Sequence, residues 1–194
     1  MVIILWAMAL WGAAVILTAT GYGARDIEKH GLHRLSLVVM GVMVWGLGWW
    51  TVGSILPGVR VDLGFLLLAA FGWSLVLAMG NPRWWFIAGL LGVLATIIRV
   101  FAPIATHQAQ VMPVALIESL GLGTAAGLSL AEAMPAAMVA VSAESLASVL
   151  VAWRHVALHD LGRHDLAMVI LATLSAWLVG WAASKVVTRL TRVA

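Results

Sequence analysis

The sequence predicts an all-α integral membrane protein, a bundle of about seven transmembrane helices that forms a single transmembrane domain over residues 1–194. Three observations carry this prediction. Of the 194 residues, 63% are hydrophobic and only 10% are charged, whereas soluble domains carry about 25% charged residues. Several apolar runs approach the ~18–20 residues that cross a bilayer. Basic residues lie mostly between those runs and near the C-terminus, where they set topology and contact anionic headgroups.

Four predicted helices occupy the first half of the chain. Helix 1 has no basic segment in front of it, so we expect a retained span rather than a cleaved signal peptide. Pro57-Gly58 is a turn signal that ends helix 2. Asp62 is placed to cap helix 3, and Pro82 stands at the first position of helix 4. The predicted ranges are 2–20, 35–56, 63–80 and 82–102.

The second half contains an apolar stretch, residues 111–153, that is too long for one span. Ser129 and Glu132 have the spacing of a capping box, which begins a helix. We therefore expect a tight turn near 129–131 with a helix on each side, and Asp165 is placed to cap the last helix. The alternative is one span with a re-entrant piece, which would give six helices. The predicted ranges are 111–128, 131–153 and 166–187.

The distribution of basic residues favours seven helices over six. With seven helices and the N-terminus outside, seven Lys or Arg residues lie on the cytoplasmic side and four on the outer side, as the positive-inside rule requires. With six helices the split is six against five, which favours neither orientation. The sequence thus predicts an outer N-terminus and a cytoplasmic C-terminus.

Glu118 and Glu144 are the first candidate site residues, because they lie inside predicted spans. A charge near the centre of a bilayer costs at least ~2.5–3.5 kcal/mol. Both acids lie about 18–21 Å from the predicted turn, so their depths match. Glu144 belongs to a stripe of small residues, and Gly123 and Gly127 belong to another on the preceding helix, so we expect both glycines where helices approach closely in lipid. Alternatively, the two acids are neutral and hydrogen-bonded within a packed hairpin.

Arg99, near the end of predicted helix 4, is the third candidate. It shares a helical face with Gly92 and Thr96 and lies in the same half of the membrane as Glu118. Its guanidinium could pair with Glu118 or Glu144 and so reduce the burial cost of both charges. The alternative is that it extends to the headgroups.

The loop between predicted helices 6 and 7 offers weak candidates for a metal site. His155 and His159 have the i,i+4 spacing that lets two histidines share a metal on one helical face, and Asp160 and His164 could add ligands. A solvated, charged loop is the alternative interpretation. The sequence therefore leaves the metal content open.

Other compositional features narrow the function classes. The chain lacks cysteine, which excludes disulfides and thiol chemistry. It lacks the common catalytic motifs, and its histidines fall outside the spans, so we expect no cofactor and do not favour an enzyme. Most of its eleven tryptophans lie near predicted helix ends, as in an aromatic belt, whereas Trp45 and Trp73 are deeper. The net charge of +3 does not indicate nucleic acid.

The function that this pattern predicts is transport across the cell membrane. A small transporter or channel, coupled to protons or cations, could use a protonatable acid that loads and releases its ion as access alternates. The alternative is a membrane-embedded binding or assembly subunit of a larger complex. The expected partners are the lipid bilayer, a small ion or small molecule, and a protein partner or further copies of the chain.

Overall fold

A computed structural model describes residues 2–21, 28, 33–56, 59–78, 90, 92, 94, 97, 111–129, 133–152 and 159–193. Within these ranges, side chains are described except at 2, 53–56, 111–118, 129, 133, 148–152, 159, 160, 192 and 193. This part of the chain is mostly helical, as predicted, and it includes a small sheet. Its helices are α1 (Val2–Ala19), α2 (Arg34–Leu47), α3 (Leu63–Ala78), α4 (Val111–Ser129), α5 (Ala133–Ala152) and α6 (Arg163–Val193). Its strands are β1 (Thr51–Leu56), β2 (Val59–Asp62) and β3 (His159–Leu161).

Helices α5 and α6 form the centre of the bundle. Helix α5 is buried on every side from residue 134 to residue 142, and α6 is buried almost all round from 165 to 174. Helix α5 contacts α3, α4, α6 and β3, while α6 also contacts α1. A helix that is apolar on all sides is stable only in such a central position or in lipid. Helices α1, α3 and α4 contact this central pair, and α2 packs on α1 and α3.

The sheet replaces part of a predicted helix. Helix 2 was predicted to reach residue 56, which is wrong, because α2 ends at Leu47 and Thr51–Leu56 pairs antiparallel with β2. Val59 and Val61 are buried, and Arg60 between them is exposed. That alternation has the period of a strand. β3 then pairs parallel to β2, with Val59 opposite His159.

The predicted turn of the second half is confirmed in position. Helix α4 ends at Ser129 and α5 begins at Ala133. Ser129 is thus the last residue of α4, so its predicted role as the N-cap of the next helix is wrong, and Glu132, its proposed capping partner, lies outside the described residues. The last helix is longer than predicted, extending from Arg163 to Val193. Of predicted helix 4, four positions are described, and all are helical: Leu90, Gly92, Leu94 and Ile97.

One end of the bundle carries the sheet, and we call it the sheet end. Strand β2 leads directly into α3, and β3 is followed by α6. A methyl group built on Gly64 would lie 2.6 Å from the Cα atom of Gly48 and 2.9 Å from Cδ2 of Leu166. The end of α2 and the beginnings of α3 and α6 therefore meet at one level.

The opposite end carries basic side chains, and we call it the basic end. Arg34, at the start of α2, donates hydrogen bonds to the carbonyl oxygens of Thr18 (3.1 Å) and Ala19 (2.5 Å) at the end of α1. A cation at a helix C-terminus satisfies orphan carbonyls and complements the helix dipole. Lys185 and Arg189 of α6 lie beyond the same end. Since α1 ends where α2 begins, these two helices form an antiparallel hairpin.

Helices α4 and α6 run parallel. Ser119 of α4 bonds to Met168, and Gly127 approaches Ala176 and Gly180. Residue numbers thus increase together along both helices. Since α6 leaves the sheet end, α4 also runs from the sheet end towards the basic end.

One helix in the described part, Arg163–Thr191, is long and apolar enough to cross a bilayer, and the shorter apolar helical stretches there contain 10–17 residues. Length and composition therefore support one crossing in this part of the chain. The prediction of seven crossings is not confirmed by this criterion.

Candidate functional site

Glu144 lies on the central helix α5 and is 4% exposed. It stands 11 residues after Ala133 and 8 before Ala152, about 16 Å and 12 Å from the two ends of the helix. The lysine and arginine side chains that the structure describes lie at the two ends of the bundle, at positions 34, 60, 163, 185 and 189. Glu144 makes a polar or electrostatic interaction of its own, as a buried carboxyl group requires.

Hydroxyl groups flank this acid on the same helix. Ser142 and Ser145 are both fully buried. The Ser142 hydroxyl donates to the carbonyl oxygen of Val139 (3.1 Å) and accepts a hydrogen bond from Nε1 of Trp73 on α3 (3.1 Å). The Trp73 indole therefore links α3 to α5 two residues before Glu144.

The backbone around Glu144 is closely approached by Gly92. A methyl group built on Gly92 would lie 2.9 Å from the carbonyl oxygen of Ala140, 3.1 Å from Cβ of Ala143 and 3.5 Å from the amide nitrogen of Glu144. Gly92 is buried, whereas Leu90, Leu94 and Ile97 are about half exposed. The Gly92 face of this helical segment thus packs against α5 at Glu144.

Glu118 lies on α4, 11 residues before its end at Ser129. Glu144 lies 11 residues after the start of α5, so the helix bounds place both residues at the same distance from the turn. The Glu118 side chain lies outside the described set. The structure therefore supports the matched depth of the two acids but does not test their contact.

Arg99 lies outside the described residues. The segment predicted to carry it is helical at four positions, and Gly92, which shares its predicted face, lies against Glu144. The pairing of Arg99 with either acid stays a prediction.

The small-residue stripe of α4 packs against α6. Side chains at Gly123 and Gly127 would overlap α6: a methyl group at Gly127 would lie 2.7 Å from the carbonyl oxygen of Ala176, and one at Gly123 would overlap Ser175. The prediction that both glycines lie in a helix contact is confirmed. Ala172, Ala176 and Gly180 form a matching small-residue stripe on α6, which is the arrangement that allows close helix packing in lipid.

The metal candidates of the His/Asp loop are not brought together on one helix. His159 and Asp160 belong to strand β3, and His155 lies outside the described residues, so the pairing of His155 with His159 stays a prediction. His164 is in the first turn of α6 and has an interaction partner. Among the described residues, no group of three His, Cys, Asp or Glu could hold a metal ion.

Two further acids are buried at the sheet end. Asp62 (3% exposed) immediately precedes α3, and Asp165 (6% exposed) lies in the first turn of α6. Both were predicted as caps, and a carboxylate at a helix N-terminus is stabilised by unpaired backbone amides and the helix dipole. These positions suit a structural role.

The sequence interpretation missed the polar surroundings of Glu144. Trp73 was recognised as deep, but its bond to Ser142 depends on how α3 packs on α5. A signal was present in the sequence, because Ser142 and Ser145 lie within two residues of Glu144 in a mostly apolar helix. Trp45 was also predicted to lie away from the helix ends, which is wrong, because it is two residues before the end of α2; it is 57% exposed and lines an apolar groove between α1 and α2.

Comparison with known proteins identifies no relative: no family model, curated protein or solved structure matches this chain.

Proposed function

We propose that the chain is a multi-pass protein of the cell membrane. The outer faces of α1 and α2 support this placement, because ten large hydrophobic side chains on these two helices are exposed. Soluble proteins rarely expose contiguous apolar patches of this size. A bilayer would cover them. These exposed side chains are Leu5, Trp6, Leu10, Ile16, Leu17, Leu35, Val39, Val42, Met43 and Trp45.

Seven crossings agree best with the arrangement of the elements. The parallel pairing of β2 with β3 brings residues 59–62 and 159–161 to the same end, and the seven-helix topology puts both segments on the outer side. A six-helix chain would put them on opposite sides. Helices α3 and α4 both run from the sheet end to the basic end. One further crossing between them, at predicted helix 4, would therefore return the chain to the sheet end. The more basic end is then cytoplasmic.

The short helices require a thin or locally adapted bilayer. Helices α2 and α3 contain 14 and 16 residues, or about 21 Å and 24 Å, against a hydrocarbon core of ~30 Å. Such a mismatch is accommodated at modest cost by local thinning of the bilayer. The sheet covers the outer end of this pair of helices.

The function proposed for this protein is transport: it is a small transporter or channel for protons or cations. One observation carries the proposal, the burial of Glu144 at mid-height of the central helix. An acid retained there at a cost of at least ~2.5–3.5 kcal/mol is by default a functional group of a membrane protein. Ser142 and Ser145 place two further buried polar groups within one turn of Glu144 on the same helix.

Glu118 and Arg99 complete the proposed site. Glu118 has the same distance from the α4–α5 turn as Glu144, and the proposal is that the two acids share an ion. Arg99 follows Gly92 by seven residues, and helical periodicity predicts the same face for both. Side chains lean towards the N-terminus of their helix, which would bring the guanidinium back towards the level of Glu144.

Flux into proteoliposomes tests the proposal. Purified protein is reconstituted with an internal pH dye, and proton entry is recorded under an imposed potential, with and without Na⁺ or K⁺ gradients. We expect a flux that Glu144→Gln abolishes, because the amide keeps the shape but cannot exchange a proton. Glu28→Gln is the matched control, since Glu28 is exposed outside the bundle. Equal flux from Glu144→Gln and the unaltered protein would contradict the proposal.

A second candidate function is that of an assembly subunit in the membrane. The observation that favours it is the length of α6, which continues beyond the other described helices with an apolar face that the described residues leave exposed. If the reconstituted protein carries no ion at all, this function is the better interpretation.

A further inference from the structure

Helix α6 extends well beyond the basic end of the bundle. Leu166 is level with Gly48 and Gly64, and Gly180 lies against Gly127 near the end of α4. The 14 residues from Leu166 to Gly180 span about 21 Å, which matches the 14-residue helix α2. Helices α1 to α4 therefore have their basic-end termini near the level of Gly180. The last 13 residues of α6 extend about 20 Å further.

One line of apolar residues follows α6 from the bundle into this extension. The spacing alternates between four and three residues, which is the heptad pattern of a helix that packs on another helix. We call this line the α6 seam. Its members are Ala172, Ala176, Val179, Ala183, Val186, Leu190 and Val193.

The first part of the seam is covered by α4, and the last part is not. Gly123 and Gly127 of α4 lie against Ala172, Ala176 and Val179. Beyond the end of α4, Val186 is 57% exposed and Leu190 is 66% exposed. The face of α6 that packs on α4 thus continues beyond the end of α4, where the described residues leave it exposed.

The two flanks of the open seam differ in charge. Lys185 and Arg189 lie on one flank, and Val187 and Thr191 lie on the other, as the helical period places them. In a parallel pair of identical helices, each flank meets the opposite flank of the partner. The basic flank would therefore face an uncharged flank. An antiparallel pair would bring the basic flanks together, which is unfavourable.

We propose that the open seam, residues Ala183 to Val193, packs against the same seam of a second copy of the chain in a parallel helix pair. Copies in one membrane share their orientation, so their extensions are parallel and emerge at the same height; this step rests on the proposed membrane placement. The seam is short, but the bilayer confines both copies and raises their effective concentration. The extension is less suited to lie flat on the bilayer surface, because it continues without a break the helix that leaves the bundle.

Disulfide cross-linking tests this pairing directly, since the chain has no cysteine of its own. Leu190→Cys puts a thiol on the seam, and Thr188→Cys puts one on the opposite, equally solvent-exposed face. Disulfides need Cα atoms about 4.4–6.8 Å apart, which only the seam positions of a parallel pair reach. In native membranes treated with copper phenanthroline, we expect several-fold more covalent dimer from Leu190→Cys. Equal cross-linking at both positions, or none at position 190, would overturn the proposal.

A charge introduced on the seam supplies a second measurement. Leu190→Glu places like charges opposite each other in the pair and should shift the protein to the monomer, as read from its mass in detergent solution. Thr188→Glu is the control and should leave the mass unchanged. Neither substitution touches the bundle. Because both tests are independent of flux, their failure leaves the transport proposal standing, and loss of flux in Glu144→Gln leaves the cross-link standing.

Discussion

Glu144 illustrates how much one residue can indicate when its surroundings are apolar. The carboxyl group is 4% exposed, and an unpaired charge in such a place would be strongly destabilising. Gly92 contacts the backbone around Glu144 closely, and the hydroxyls at positions 142 and 145 are buried within one turn of it. If Glu144 has only a structural role, its replacement should change stability and not flux. If it carries protons or cations, its replacement by glutamine should abolish flux and preserve stability.

Replacement of Glu144 by leucine should destabilise the protein, whereas replacement by glutamine should not. Leucine removes both oxygens and leaves the partners of the carboxyl group unsatisfied, which costs about 1–3 kcal/mol. Glutamine keeps the shape and most of the hydrogen bonds. Thermal unfolding in detergent measures the difference. If Glu144→Leu unfolds at the same temperature as the unaltered protein, the buried polar interaction of Glu144 does not contribute to stability.

The hydrogen bond between Trp73 and Ser142 should contribute measurably to the packing of α3 on α5. Ser142→Ala removes the acceptor and leaves the indole N–H of Trp73 unsatisfied, at an expected loss of about 1 kcal/mol. Ser74→Ala is the matched control, because the exposed Ser74 hydroxyl donates only to Phe71 of its own helix. A double-mutant cycle with Trp73→Phe should give a clear coupling energy. Additive effects of the two substitutions would mean that the hydrogen bond does not contribute to the free energy of unfolding.

At the scale of the helices, close approach is decided by a few glycines. Gly41 of α2 lies against Val15 of α1, and Gly123 and Gly127 of α4 lie against α6. At each of these positions a side chain would overlap atoms of the neighbouring helix. Gly121 of α4 instead has open space around it, so one helix contains both kinds of glycine.

Gly127→Leu should therefore weaken the contact between α4 and α6, while Gly121→Leu should not. Overpacking a close contact typically costs ~1–3 kcal/mol. A leucine at position 121 should be neutral or slightly stabilising, since leucine favours helix more than glycine does by up to about 1 kcal/mol. Thermal unfolding of both variants in the same detergent gives the comparison. Equal stability of the two variants would place Gly127 on an outer face.

At the scale of the whole molecule, the two ends of the bundle differ. The sheet end holds β1, β2 and β3 with the buried acids Asp62 and Asp165, and the basic end holds Arg34, Lys185 and Arg189. In a membrane, such asymmetry sets the orientation. The proposed orientation has the sheet end outside.

Labelling from outside the cell tests this orientation. Single cysteines replace Arg60 and Arg163, both exposed at the sheet end, and Glu28 and Lys185, both exposed at the basic end. We expect a membrane-impermeant maleimide to label the first pair in intact cells and the second pair only after the membrane is opened. Reporter fusions at Ala194 should also score cytoplasmic. Labelling of position 60 and position 163 on opposite sides would contradict the seven-helix topology, since β2 and β3 pair.

The sequence by itself determined the properties that depend on local pattern. Apolar runs predicted the helical regions, the break near residue 130 placed the turn between α4 and α5, and the small-residue stripe with Gly123 and Gly127 predicted a close helix contact. The isolation of Glu144 among apolar residues was enough to make it a candidate. Each of these inferences needs only neighbours along the chain, because helical periodicity brings residues three and four apart together.

Only the tertiary structure decided which surfaces meet. Residues 51–56 are apolar enough for a helix, yet they form a strand because β2 offers them a hydrogen-bonding partner, and β3 joins from nearly 100 residues away. The small-residue stripe of α4 packs on α6 rather than on α5. Trp73 of α3 donates a hydrogen bond to Ser142 of α5. Strand pairing and helix contacts of this kind join segments distant in sequence, and their free energy depends on the whole arrangement rather than on any local propensity.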